Sequence, residues 1–154
     1  MHNRNSRVAA AVAAAGIEPA TRIPDADARA AVAAAEQLGC EVGAIANSLV
    51  FDCDGESLLV MSSGAHRVDT DHLVRVLGAA AIGKASPQLV RTATDQVIGG
   101  VAPTGHPTRL RTVVDESLAS YPVIWTAAGT ADSVMPMTYE QLLTVIEGVS
   151  LPVR

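Results

Sequence analysis

Two apolar runs on either side of an Asp-Gly pair form the clearest pattern in the chain. Residues 48–53 read Ser-Leu-Val-Phe-Asp-Cys, residues 57–62 read Ser-Leu-Leu-Val-Met-Ser, and Asp54 and Gly55 lie between them. An Asp-Gly pair favours a tight turn between antiparallel strands, because both residues tolerate the backbone conformation that the turn needs. The pattern predicts a β-hairpin.

Helical patterns lie on both sides of this hairpin. The predicted helices cover residues 4–15, 25–38, 70–77, 87–93 and 139–147. Gly16 is placed to end the first of them. Asp69 or Thr70, Ser86 and Thr138 can accept the unpaired backbone N–H groups at the starts of three others.

Three further apolar stretches, at residues 110–114, 123–127 and 134–137, are predicted to be strands. Strands and helices are therefore mixed along the chain. We expect a single mixed α/β domain over residues 1–154, with a curved mixed sheet and helices packed outside it. A doubly wound nucleotide-binding fold is disfavoured because Gly99 and Gly100 follow a helix and precede Pro103, whereas its fingerprint lies between a strand and a helix.

Composition narrows the classes of function. The chain has 154 residues, a formal net charge of -5, one lysine and two cysteines. This charge argues against a general nucleic-acid-binding protein, although the ten arginines could form a local basic rim. No apolar run is long enough to cross a membrane, and two cysteines make no disulfide framework. We expect a soluble cytoplasmic protein.

Residues 96–107 read Gln-Val-Ile-Gly-Gly-Val-Ala-Pro-Thr-Gly-His-Pro. Three glycines and two prolines are incompatible with a helix, so the segment is predicted to be a loop of defined conformation. The Gly99-Gly100 pair could offer bare backbone N–H groups to an oxygen-rich ligand, or the loop could be a tight connection that binds nothing. His106 could donate to a ligand or transfer a proton, or it could hydrogen-bond the loop to itself.

Other candidates for chemistry are few. No serine lies in a nucleophile elbow, and the four histidines lack metal-ligand spacing, so neither a catalytic triad, a metal nor a cofactor is expected. His66 and Arg67 share a predicted loop with Asp69, an arrangement that is more often structural than catalytic. Arg67 could also contact a phosphate.

Four blocks together resemble a known family. They are Ile-Ala-Asn-Ser-Leu-Val-Phe at 45–51, Ser-Gly-Ala-His-Arg-Val-Asp at 63–69, Ile-Gly-Gly-Val-Ala-Pro-Thr-Gly-His at 98–106 and Trp-Thr-Ala-Ala-Gly at 125–129. In this order and spacing they resemble the YbaK/ProX family. Its members are free-standing aminoacyl-tRNA deacylases, related to the editing insertion domain of bacterial prolyl-tRNA synthetases. The resemblance covers about residues 21–148.

The resemblance implies a barrel-like sheet and a pocket for the aminoacyl group at the 3′ end of a tRNA. It also implies hydrolysis of the ester that joins a wrong amino acid to that tRNA, with an aminoacyl-tRNA synthetase as a second partner. The pocket residues that it implies are Asn47, Ser48, Gly99, Gly100, Val101, Pro103, Gly105 and His106. Of these we expect Asn47, Gly99, Gly100 and Val101 to act in catalysis, and the others to bind the substrate together with Arg67 and Gly129.

One position departs from the family pattern, because Asn47 stands where the family has a lysine. The family lysine is thought to orient the terminal adenosine and the ester. Two other functions therefore stay open: a binding or regulatory protein that has lost deacylation, and a small amino-acid or nucleotide sensor, which the acidic charge suggests.

Overall fold

The computed structural model describes residues 3–14, 16, 35, 38–94, 101–103, 110–127, 134–146 and 148–153. Its α-helices are α1 (Asn3–Ala14), α2 (Thr70–Leu77), α3 (Pro87–Thr94) and α4 (Tyr139–Val145). Its strands are β1 (Ile45–Cys53), β2 (Glu56–Ser63), β3 (Ile82–Lys84), β4 (Arg111–Asp115), β5 (Ile124–Ala127), β6 (Val134–Met137) and β7 (Gly148–Leu151). Short 3₁₀ turns cover Val42–Ala44 and Glu116–Ser120.

The predicted hairpin is confirmed and forms the centre of the sheet. β1 and β2 pair antiparallel from Ala46 opposite Ser63 to Cys53 opposite Glu56. The turn has a positive φ of 53° at Asp54 and 89° at Gly55, the conformation that the Asp-Gly pair favours. The Asp54 carboxylate also accepts the N–H groups of Ala80 and Ala81, which ties the turn to the segment before β3.

The sheet runs in the order β6-β5-β1-β2-β4-β7, and β3 pairs with β1 outside this path. β1 pairs parallel with β5, β2 with β4, and β4 with β7, whereas the other pairings are antiparallel. The predicted mixed α/β class is confirmed. The expected barrel-like sheet is corrected to an open one, because β6 and β7 lie at opposite ends of the path and do not pair.

Local capping explains where three helices begin. The Asp69 side chain accepts from the His72 N–H at the start of α2, and Ser86 Oγ accepts from the Leu89 N–H at the start of α3. Thr138 and Gln141 form a reciprocal capping box before α4. These caps confirm the prediction, although α4 ends at Val145 and not at residue 147. Most of the helix predicted at 25–38 lies outside the described residues.

The core lies on both faces of the sheet. We call front face the one that carries Ala46, Leu59 and Val114, which pack with residues of α1, α3 and α4 in the larger core cluster. We call back face the one that carries Leu58, Val60 and Val113, against which α2 packs through Leu73. A third, small cluster on the back face joins Ala35 to Ile45 and Trp125. No helix in the described part of the chain is long and apolar enough to span a membrane.

Candidate functional site

The outer edge of β1 is only partly paired. Ile45 and Ala46 pair with β5, and residues 51–53 pair with β3. Between them, residues 47–50 have no strand partner on this edge among the described residues, and we call this segment the β1 notch. Unpaired strand backbone offers N–H and C=O groups to a ligand, so the notch is a suitable binding edge.

Asn47 lies in the notch and on the back face of the sheet. Its pairing partner is Ser62 of β2, and its side chain is half-buried. Leu49, two residues further on the same face, is a large apolar residue with 40% of its surface exposed. The back face is therefore covered near Ile45 and near Phe51 but less completely over the notch.

Ser48 is the next residue along β1 and points to the front face. Its Oγ donates to the Met61 Sδ at 3.1 Å, a weak acceptor. Successive side chains of a strand point to opposite faces. A single ligand could therefore reach both Asn47 and Ser48 only at the strand edge, which is the part that the notch leaves unpaired.

Of the predicted glycine-rich loop, the structure describes Val101, Ala102 and Pro103. All three are buried, and Val101 and Ala102 pack in the larger core cluster with Ala46. Val101 and Ala102 are thus held in the core on the front face of the sheet. The other predicted site residues, Gly99, Gly100, Gly105, His106 and Gly129, lie outside the described residues, so their proximity to Asn47 stays a prediction.

His66, in the block at 63–69, belongs to a polar cluster that was not predicted from the sequence. The sequence grouped His66 with Arg67 and Asp69. In the structure Arg67 is exposed and Asp69 caps α2. The His66 Nδ1 instead lies 3.1 Å from the Asp115 Oδ2 and 3.2 Å from the Ser117 Oγ. The sequence signal for this cluster is an acidic residue at the end of an apolar strand, since Asp115 is the last residue of β4. It could not be linked to His66 because the two residues are far apart in the chain.

Asp115 is the buried centre of this cluster, with 1% of its surface exposed. Its carboxylate accepts the Ser117 Oγ–H at 2.7 Å, the Ser117 N–H at 3.0 Å and the Ser63 N–H at 3.1 Å. Burial acts to raise the pKa of Asp115, but these hydrogen bonds and the one with His66 outweigh it, so the pKa is lowered. The carboxyl group is therefore ionised near neutral pH.

Asn47, Ser62 and Asp115 form a row across three neighbouring strands, which we call the polar row. Asn47 pairs with Ser62, and Ser62 and Asp115 directly follow the paired residues Met61 and Val114. All three side chains belong to the back face, because Asp115 pairs with Leu151, which packs against the back-face cluster. In the described part of the chain no group of three His, Cys, Asp or Glu side chains is arranged to hold a metal ion.

Residues 25–145 match the family model of the aminoacyl-tRNA editing domain. The chain is 30% identical over 110 residues to the uncharacterized protein YwhH of Bacillus subtilis (strain 168), a match that covers 71% of this chain and 69% of that protein. It is also 30% identical over 76 residues to the proline–tRNA ligase of Lysinibacillus sphaericus (strain C3-41). That match covers 49% of this chain but only 13% of the ligase.

A solved structure extends the similarity to the whole chain. The crystal structure of a proposed trans-editing enzyme for prolyl-tRNA synthetase superposes with a TM-score of 0.94 at 33% sequence identity. The superposition covers 100% of this chain and 98% of that one. The matched residues 25–145 include the β1 notch, the polar row and the buried Val101. On these grounds the chain belongs to the aminoacyl-tRNA editing domain family.

Proposed function

We propose that this protein is a trans-editing deacylase that hydrolyses the ester between a wrong amino acid and the 3′ end of its tRNA. The observation that carries the proposal is the position of Asn47. Its side chain is half-buried and can form hydrogen bonds, and it lies where β1 has no outer strand partner among the described residues, within the matched family region. The full-length similarity to a proposed trans-editing enzyme supports action by a free-standing protein.

In this proposal the side-chain amide of Asn47 donates to the terminal ribose or the ester. Backbone N–H groups near Gly99, Gly100 and Val101 would stabilise the charge that develops on the carbonyl oxygen during attack. Ser48, Arg67, Pro103, Gly105, His106 and Gly129 would contact the rest of the substrate. Most of the catalytic effect would then come from positioning the ester for attack by water or by the neighbouring ribose hydroxyl.

A specific observation favours a second candidate function. Asn47 stands where the resembling family has a lysine, so a charge-assisted hydrogen bond of about 1.5–3 kcal/mol is replaced by a neutral one of about 0.5–1.5 kcal/mol. The difference corresponds to about a tenfold loss in binding or rate. If the hydrolysis rate fell much further than this, the protein would still bind aminoacyl-tRNA but would no longer hydrolyse it.

The direct test is hydrolysis by the purified full chain of tRNAs charged with amino acids of graded size and polarity. A tRNA for proline is the first to use, since two of the similar proteins are named for prolyl-tRNA synthesis. Wild type, Asn47→Ala and Gln88→Ala are compared. Gln88→Ala is the matched control, because it removes the same amide from an exposed position on α3.

We expect wild type and Gln88→Ala to release the amino acid from at least one mischarged tRNA, and Asn47→Ala to release it more slowly. Binding of the same tRNAs without release by wild type would support the second candidate function. Failure to bind any of them at low salt would contradict both and favour a small-molecule sensor.

The substrate is formed in the cytoplasm, and we propose that the protein works there, alongside an aminoacyl-tRNA synthetase.

A further inference from the structure

The back face of β1 is covered at both ends and open in the middle. Every second residue of the strand points to this face, and these residues are Ile45, Asn47, Leu49 and Phe51. Ile45 is buried with Trp125 at one end, and Phe51 packs against the larger back-face cluster at the other. Leu49 belongs to neither cluster, and 40% of its surface is exposed. The opening on this face therefore lies over Asn47 and Leu49.

This opening does not extend inward across the sheet. The partners of Asn47 and Leu49 on β2 are Ser62 and Val60, which keep only 1% and 0% of their surface exposed. On the outer side of β1, residues 47–50 have no strand partner in the described part of the chain. Solvent therefore reaches the back face at β1, the strand that carries the notch, and not at β2.

Leu49 is close enough to Asn47 for both side chains to contact one small group. Alternate residues of a strand point to the same face with their Cα atoms about 7 Å apart, because each residue rises about 3.4 Å. Asn47 offers a hydrogen-bonding amide, whereas Leu49 offers only apolar surface. None of the residues that β1 points to this face is charged. The pair would suit a ligand that carries an apolar group beside a hydrogen-bonding one.

An aminoacyl ester is a ligand of this kind. The side chain of the amino acid is attached to the carbon next to the ester carbonyl, whereas the ribose ring separates the terminal adenine from the ester. Proteins usually stack unpaired bases on aromatic rings or on arginine, and a leucine provides neither. With the ester at Asn47, the group that best fits Leu49 is therefore the side chain of the amino acid.

We propose that Leu49 is a specificity-determining residue of deacylation, and that the amino acid released has an apolar side chain that packs on it. This inference rests on the proposed function. An apolar side chain in this position would remove the exposed surface of Leu49 from water, which is favourable. A charged side chain would lose water without gaining a partner from β1, which is unfavourable. Leu49 selects the substrate and takes no part in the bond changes.

The test measures kcat/KM for release from a tRNA for proline charged with three pairs of amino acids and with aspartate. The pairs are valine with threonine, cysteine with serine, and alanine with glycine, and the first member of each has the more apolar side chain. Wild type, Leu49→Ala, Leu49→Asn and Val76→Ala are compared. Val76→Ala is the matched control, because Val76 is an aliphatic residue of α2 with 45% of its surface exposed.

We expect wild type to prefer the more apolar member of each pair that it hydrolyses by about tenfold or more, and to leave aspartate in place. Leu49→Ala should reduce this preference by about fourfold or more, which is the effect of one buried CH₂ group. Leu49→Asn should reduce it further, because its amide can hydrogen-bond a hydroxyl group. Val76→Ala should keep the wild-type preference.

Binding of uncharged tRNA completes the test, because this tRNA carries no amino acid. Leu49→Ala should bind it as tightly as wild type. Weaker binding, or an equal loss of rate for both members of each pair, would overturn the inference, since Leu49 would then contact the adenine or act only in the fold. Unchanged selectivity in Leu49→Ala would also overturn it, as would a wild-type preference for the polar members or for aspartate. If wild type releases no amino acid from any charged tRNA, the proposed function itself fails and the inference with it.

Discussion

The phenol group of Tyr121 occupies the space that a Cβ on Gly43 would need, with its Oη and Cζ atoms nearest to that position. Gly43 is buried in the turn before β1, and its carbonyl accepts the Ser63 Oγ–H at 2.7 Å. Gly43→Ala should therefore lower the free energy of unfolding by about 1–3 kcal/mol, the usual cost of a substitution that overpacks a core. Urea unfolding measures the change.

Two variants control this prediction. Gly83→Ala places a methyl group in β3 where no atom lies within 4 Å, so it should leave stability unchanged or slightly increased. Tyr121→Phe removes the nearest clashing atom and should restore part of the stability of Gly43→Ala. Equal stability of wild type and Gly43→Ala would show that the ring and the backbone are not in contact.

Asp115→Asn tests the ionised carboxyl group at the centre of the cluster. Because the pKa of Asp115 is lowered in the folded state, its contribution to stability is present above the unfolded pKa of about 3.9 and is lost as the pH falls through the folded pKa. The variant should lose about 1.5–3 kcal/mol at pH 7, the range for hydrogen bonds to charged groups. The deficit should shrink towards pH 2 in urea unfolding. A deficit that is independent of pH would contradict the lowered pKa.

Thr126 has a buried hydroxyl whose Oγ1 has no hydrogen-bond partner among the residues that the structure describes. Valine has nearly the same shape without this polar atom, so Thr126→Val should raise the free energy of unfolding by roughly 1 kcal/mol. Thr112 is the matched comparison, since it is equally buried but its Oγ1 donates to the Leu110 carbonyl at 3.0 Å. Thr112→Val should instead lower stability by about 0.5–1.5 kcal/mol. A loss of stability in both would show that the Thr126 hydroxyl has a partner.

Local chemistry explains which parts of the fold the sequence predicts. The Asp-Gly turn, the Asp69 and Ser86 caps and the Thr138 capping box are set by neighbouring residues, and the structure contains all of them. Two strands were missed for the opposite reason. β3 is three residues long and contains Gly83, and β7 is defined by its parallel pairing with β4, which the pattern of apolar residues does not reveal.

The candidate site is non-local in the same way. A family resemblance placed Asn47 among the site residues, and its position in a partly unpaired strand depends on where β3 and β5 end. The His66 cluster joins residues that are 49 positions apart in the chain. Spacing along the sequence associated His66 with Arg67 and Asp69, whereas the parallel pairing of β2 and β4 brings Asp115 to its side.

The role of Asn47 is the central claim, and substitutions there test it most directly. Lysine in place of Asn47 restores the charge of the family residue and should raise kcat/KM for a mischarged tRNA by about tenfold, by the usual 1.4 kcal/mol per factor of ten. Alanine removes the hydrogen bond altogether and should lower it by about three- to tenfold. The exposed Gln88→Ala protein should match wild type.

The measurement is the rate of amino-acid release from one mischarged tRNA by these four proteins, at equal concentration and salt. We predict the order Asn47→Lys, wild type equal to Gln88→Ala, then Asn47→Ala. Equal release rates in all four would contradict a role for the β1 notch in deacylation.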